Sequence, residues 1–361
     1  MTPDTTTEAA TSAAPVLGWT LAICTYNRLH FLVETLAHAV VQTRLPAEVV
    51  IVDASDDWDM HRAEVQSRFA DHWKDIRLIY VPADVRSLTF QRNQAMRLAT
   101  SDIVFSIDDD IYLFPDAAER IMQIYEADIG SEVAMVAGHF TPHAPGEDTA
   151  PSATDLAAPA QGLKSRFLTW LEDQLSLDNH FVPYDAKVDK GPLPPAIEAA
   201  GGSANGLING GRTTARREWA VQNGWSEILR YYSTHEDGDF SYRMSQRGRL
   251  VHATQAGFFH ADGNDSTASR FRINTIRVRN LMALHAIHSQ ARARSAIRLA
   301  RSFLKFALLY AAIDPLRKRY SFPTVRAYLL GVLQIPVFLF WPFRDFTAWY
   351  TDLQEKMYGN R

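Results

Sequence analysis

Four short apolar runs, residues 20–24, 49–52, 76–81 and 103–107, recur in the first third of the chain, with an amphipathic stretch of helical length between each pair. Those stretches are 29–42, about 60–73 and 88–99; in the first, Leu32, Leu36, Ala39 and Val40 fall near one helical face. Continuous apolar runs read as strands buried on both faces, and strands alternating with helices build a mainly parallel sheet with helices on either side. Such a sheet binds ligands in the crevice beyond the carboxyl ends of its strands.

The polar residues gather at those ends. The first run ends in Thr25-Tyr26-Asn27-Arg28, the second in Asp53-Ala54-Ser55-Asp56, and the fourth in Asp108-Asp109-Asp110. Taken singly, Asn27 is a reasonable helix N-cap and Asp53 or Ser55 an ordinary turn residue. Together they open onto one crevice. Three adjacent carboxylates at the mouth of a buried strand repel one another, and a divalent cation is the usual group that offsets this and in turn collects phosphates. A solvated acidic turn is the ordinary alternative, but it does not call for an apolar strand leading into it.

Composition bounds the rest. With 361 residues, 47% of them hydrophobic and 22% charged, the chain can bury one large domain or a domain plus an extension. A formal net charge of -4 argues against a general nucleic-acid binder. Cys24 is the only cysteine, so there is neither an internal disulfide nor a cysteine-based zinc cluster, which fits a reducing compartment. Residues 1–17 are rich in Thr and Ala without a basic start or an apolar run, and are expected to be a disordered lead-in rather than a signal peptide.

Further along, Gly201-Gly202-Ser203 and Asn209-Gly210-Gly211 frame a short apolar stretch before a helix-like segment, 213–221. Glycines let a backbone pass close to a ligand and present its amides, although a plain tight turn uses them too. Thr234-His235-Glu236-Asp237-Gly238-Asp239 opens a helical stretch over 240–246 with Gly248 as its stop, and Thr234 with Asp237 also fits a capping box. Between 140 and 201 prolines break the periodicity, leaving one amphipathic piece at 163–177. Trp170, Phe181 and Tyr184 there serve either as rings for a ligand to stack on or as core.

Ile23-Cys24-Thr25-Tyr26-Asn27-Arg28, the run ending at Asp53, Arg92-Asn93-Gln94-Ala95, Asp108-Asp109-Asp110 and His235-Glu236-Asp237 together resemble an inverting family 2 glycosyltransferase of the GT-A fold, over roughly residues 18–260. The resemblance implies an α/β, Rossmann-like, mainly parallel sheet flanked by helices, and transfer of a sugar from a nucleoside diphosphate donor to an acceptor hydroxyl with Mn2+ or Mg2+. It implies donor contacts from Thr25, Tyr26, Asn27, Arg28, Asp53, Ser55, Arg92, Asn93, Asp108, Asp109, Gly210 and Gly211, and metal contacts from Asp108, Asp110 and His260. Asp237 then takes the acceptor proton, with Glu236 supporting it. Many members carry a second aspartate where this chain has Ala54, so the resemblance does not name the base. A sugar nucleotidyltransferase is the runner-up, but it needs a phosphate loop rich in glycine and lysine near the first strand, which 25–28 lacks. A non-catalytic nucleotide-sugar or membrane-binding module is the third reading, against which the presence of Asp108, Asp110 and Asp237 counts.

The expected organisation is the lead-in at 1–17, a glycosyltransferase domain at 18–265 with an acceptor-side insertion at 141–200, and a helical extension at 266–361. The extension is rich in arginine; Arg270 and Arg272 at its start, and Arg243 in the preceding domain, are candidate diphosphate contacts or plain surface residues. Its apolar run at 327–341 is shorter than the ~20 residues of a spanning helix and is broken by Gln334 and Pro336. Two readings stand: a helix lying in a membrane interface beside a lipid-linked acceptor, or a lid packed on the domain or on a second subunit. The expected location is cytoplasmic, peripheral on the inner face of the membrane.

Overall fold

The structure is a computed structural model that describes residues 16–147, 181–186, 188–208, 210–231, 233–261 and 269–358. The piece at 163–177, Trp170, Asn209 and nearly all of the lead-in lie outside the described residues. Strands β1 (Trp19–Thr25), β2 (Glu48–Asp53), β3 (Arg77–Pro82) and β4 (Ile103–Asp108) alternate with helices α1 (Leu29–Ala39), α2 (Trp58–Arg68) and α3 (Leu88–Leu98). All three pairings among these strands are parallel. Then follow β5 (Ile111–Leu113), α4 (Ala117–Ala127), β6 (Val133–Thr141), α5 (Pro195–Ala199), β7 (Gly202–Ala204), β8 (Arg212–Arg216), α6 (Arg217–Asn223), α7 (Glu236–Arg247) and β9 (Arg249–His260).

The strands form one sheet in the order β3-β2-β1-β4-β8-β6-β9-β5, with β7 paired to β9. Beyond β4 the sheet becomes mixed, because β8 runs antiparallel to both β4 and β6. Here the sequence reading needs a correction: residues 213–216 are strand, and helix begins only at Arg217. Thr213, Thr214 and Ala215 are buried between two strands, and β-branched residues suit that pleated environment even where the pattern nearby looks helical.

Register levels the strand ends. Thr25 sits opposite Asp53, and Cys24 opposite Asp108, so the polar ends of β1, β2 and β4 share one edge. Ile111 sits opposite His260, which brings the end of β9 beside Asp110. Ile107 sits opposite Arg212, which brings Gly211 to the end of β4. Alternate residues supply the two cores: Leu21, Ile23, Phe105 and Ile107 pack with α1 and α4, while Ala22, Val50, Val52 and Val104 pack with Met96, Phe240 and Met244. Each fully buried residue of this size contributes ~1.5–3 kcal/mol.

The extension is α8 (Arg270–His288), α9 (Arg292–Leu316), α10 (Pro323–Phe340) and α11 (Phe346–Tyr358). Its core includes Leu281, Phe303, Tyr328 and Tyr350, and it also takes in Phe181 and Tyr184. Those two side chains are therefore core, not platforms for a sugar. The Tyr184 hydroxyl donates to Asp239 at 2.6 Å, and its ring meets Tyr242 edge-on at 4.8 Å.

Candidate active site

The aspartate triplet splits three ways, as expected for consecutive residues leaving a strand. Asp109 turns inward, where its carboxylate accepts from the Thr25 hydroxyl at 2.7 Å and from Arg28 at 2.7 Å. Burial pushes Asp109 up to about 7 against the pull of Thr25 and Arg28. Asp110 turns toward β9. Its Oδ2 accepts from the other Arg28 nitrogen at 2.7 Å, while its Oδ1 is buried without a hydrogen-bond partner, 3.4 Å from His260 Nε2. Although burial opposes them, the neighbouring His260 and Arg28 hold the Asp110 carboxyl below the usual carboxylate range. Asp108 is partly exposed and accepts from Arg92 at 2.7 Å.

Arg92 is the hinge between distant parts of the sequence. It rises from α3, nearly buried, with its guanidinium 4.4 Å over the Trp225 ring, and reaches Asp108 with one nitrogen and Glu236 with the other at 3.2 Å. A buried guanidinium is stable only when its donors are met, so this contact draws the end of β4 and the start of α7 together. Burial and the neighbouring Asp237 push Glu236 up to about 8 against Arg92. At neutral pH Glu236 is therefore held mainly as the acid.

Asp237 is fixed by backbone. Its Oδ2 accepts from the Gly210 amide at 2.7 Å and its Oδ1 from the Gly238 amide at 2.7 Å. Gly211 has a φ of +66°, and a Cβ there would lie 3.3 Å from Asp108 Oδ2. Gly210 and Gly211 thus pass between the two acidic motifs where a side chain would crowd both. The N-cap of α7 is His235, in the left-handed region at φ 76°, and no side chain caps it. The capping-box reading of Thr234 and Asp237 is therefore set aside.

The other expected residues differ in exposure. Asp53 is fully buried and accepts from Ser55 N, Ser55 Oγ, His61 and Tyr80, so its oxygens brace the strand end rather than face the crevice. Ser55 Oγ also accepts from the Asn27 amide at 2.7 Å, and Asn27 sits at φ 54°, a conformation asparagine tolerates. Asn93 holds the Trp225 backbone on both sides, donating to its carbonyl and accepting from its amide. Tyr26 is half exposed at the same edge. Arg243, a candidate diphosphate contact, is instead bound to buried Asp239 at 2.7 Å. Gly201 and Gly202 lead into β7, on the far strand pairing.

Sequence reasoning missed three contributors. Gln91 donates to the Thr25 and Val52 carbonyls and so ties two strand ends together. Trp225 provides the ring under Arg92. Arg86 pairs with Asp56 at the ends of β3 and β2. Opposite charges after successive strands were the only sequence signal for that pair, and no short motif holds them.

The residues fit a cation in part. An unpartnered buried oxygen of Asp110 facing an imidazole nitrogen is an incomplete ligand set. Among the described residues no three His, Cys, Asp or Glu side chains gather closely enough to cage a metal alone. A hard divalent cation held there would need further ligands, such as oxygens of a bound phosphate.

Comparisons with known proteins agree with this architecture. Residues 20–175 match the family model described as glycosyl transferase family 2. A glucosyl-dolichyl phosphate glucuronosyltransferase of Haloferax volcanii is 32% identical over 108 residues, 29% of this chain and 33% of that protein. A crystal structure of GalNAc-T7 with UDP, GalNAc and Mn2+ superposes with a TM-score of 0.51 at 12% identity, covering 91% of this chain and 59% of that one. The match therefore spans a third of the curated relative and less than two thirds of the solved one, and the structural likeness establishes the GT-A fold.

Proposed function

We propose that this chain, which carries a family 2 glycosyltransferase domain of GT-A fold, moves a sugar from a nucleoside diphosphate to an acceptor hydroxyl with inversion at the anomeric carbon. The observation that carries the reading is the junction of Asp108 with Glu236 and Asp237 through Arg92 and the Gly210-Gly211 backbone. That junction supports reading these groups as the phosphate-facing and proton-accepting ones of a single site.

In this reading the diphosphate lies beyond Thr25 and Asp108, near the partly exposed Arg28. Asp110 and His260, with Asp108 nearby, would hold Mn2+ or Mg2+, which supplies positive charge to the departing diphosphate. Asp237 takes the proton of the acceptor hydroxyl as its oxygen bonds to the anomeric carbon, and the two backbone amides on its carboxylate keep it aimed. Glu236, carrying its proton, donates to an acceptor oxygen without adding a second negative charge beside Asp237. Tyr26 offers an exposed ring to the base. The acceptor class favoured by the helical extension is a lipid-linked hydroxyl. The domain boundaries at 18–265 and 266–361 belong to the same proposal.

The test is thermal stabilisation and product analysis with Mn2+ and a panel of nucleoside diphosphate sugars. Bound donor raises the melting temperature by mass action, ~2.7 kcal/mol of stability at a hundred times Kd. The reading expects one donor class to stabilise the protein and the product to have inverted configuration by NMR. A panel in which nothing stabilises or turns over contradicts it.

A further inference from the structure

The extension leaves an outer surface that the sheet domain does not have. Among the described residues, twelve of the 23 exposed large hydrophobics lie from Ile287 onward. On α10, Leu329, Leu333, Val337 and Phe340 follow one another at helical spacing on the face turned away from the protein, ending at Trp341. Leu333 is 76% exposed and Trp341 62%. The opposite face of α10 is committed inward: Tyr328, Ile335, Phe338 and Leu339 are buried, and a Cβ at Gly331 would lie 3.0 Å from the Phe303 ring. α9 shows a parallel stripe in Ile297, Leu304 and Leu308.

Charge indicates what covers this surface. From Arg292 to Arg344 there are ten Lys and Arg residues and one acid, in a chain whose overall charge is -4. That acid, Asp314, is fully buried, accepts from the Thr324 amide and hydroxyl and lies 3.9 Å from Arg319, so it offsets at most one of the ten. Arg301 lies within the α9 stripe, and Lys318 in the turn between the helices; both are exposed.

We propose that the outer faces of α9 and α10 dock on an anionic lipid surface, with α10 lying in the plane of the interface. Apolar side chains enter the acyl boundary, Trp341 and Tyr320 sit at headgroup level, and the basic residues meet lipid phosphate. α10 is the one described helix long and apolar enough to cross a membrane, at 18 residues. It does not cross, because its buried face packs on α8 and α9 and crossing would strip that face from the core. The inference rests on this surface alone and stands or falls separately from the sugar chemistry.

The test is sedimentation of the full chain with vesicles of phosphatidylcholine alone or mixed with phosphatidylglycerol. Binding is expected to the mixed vesicles only. It should fall on the order of tenfold or more in Leu333→Glu with Val337→Glu, and likewise in Arg301→Glu with Lys318→Glu. Salt of about 1 M, where the Debye length is ~3 Å, should weaken it. Unchanged melting temperature and donor binding in both variants show that they fold. Mixed vesicles that fail to bind the wild-type chain overturn the proposal, as does equal binding by either variant. A dimer that Leu333→Glu dissociates also overturns it, by assigning the face to a second copy, and so does resistance to alkaline extraction, by assigning a spanning helix.

Discussion

The strand-end crevice and the helical extension handle charge in opposite ways. In the crevice nearly every carboxylate has a named partner: Asp109 and Asp110 share Arg28, Asp108 and Glu236 share Arg92, and Asp53 has four donors. In the extension basic residues sit on an outer surface beside exposed apolar ones, and the one acid from Arg292 to Arg344 is buried. Paired charges hold a geometry, whereas same-sign charges at a surface attract a partner of opposite sign. The first region fixes groups relative to one another; the second carries the surface proposed above to meet a lipid bilayer.

This contrast can be broken by experiment. The largest effect is expected from Arg92→Met, which leaves Asp108 without its counter-charge and Glu236 without its donor. A loss of about 3 kcal/mol or more is expected by denaturant unfolding, with donor binding lost too. Gly211→Ala forces a side chain into the left-handed region and toward Asp108, and should cost ~1–3 kcal/mol with weaker donor binding. The two regions should also differ in their response to pH. Glu236 is raised from 4.5 to about 8, so between those values the folded chain keeps a proton the unfolded chain has released. Stability falls as pH rises through that window, and Glu236→Gln should flatten the slope. Buried His285, in α8, is lowered from 6.5 to about 4, so between those values the unfolded chain binds the extra proton. Stability there rises with pH, and His285→Gln should remove that slope. The smallest effect belongs to Leu333→Glu, within about 0.5 kcal/mol in stability because the side chain is already in water. A large loss there would mean that the outer face is core in solution.

The parallel half of the sheet was legible because its strands are buried on both faces and so appear as unbroken apolar runs, each closed by polar residues. The mixed half was not. β8 is short, and Arg212-Thr213-Thr214-Ala215-Arg216 shows neither a continuous run nor a clear alternation. Its place is set by β4 and β6, more than 70 residues away in sequence. At the site, the residue types at Asp108, Asp110, Glu236 and Asp237 could be read, but not how they are partnered. That Arg92 joins Asp108 to Glu236, 144 residues from itself, depends on α3 lying across two strand ends. Asp53 shows the reverse: an acid at a strand end looks ligand-facing until Tyr80 and His61 close over it. In the extension the helices followed from periodicity, whereas Phe181 and Tyr184 joining their core is a long-range contact that no local pattern encodes.

The central claim is that Asp237 faces the acceptor while Asp110 faces the diphosphate. Donor affinity and single-turnover transfer, measured side by side for Asp237→Asn and Asp110→Asn, test it most directly. The account predicts that Asp237→Asn keeps donor affinity and loses transfer by about 10²–10⁴-fold, while Asp110→Asn loses donor affinity itself. Wild-type transfer by Asp237→Asn, or loss of donor affinity in that variant alone, contradicts it.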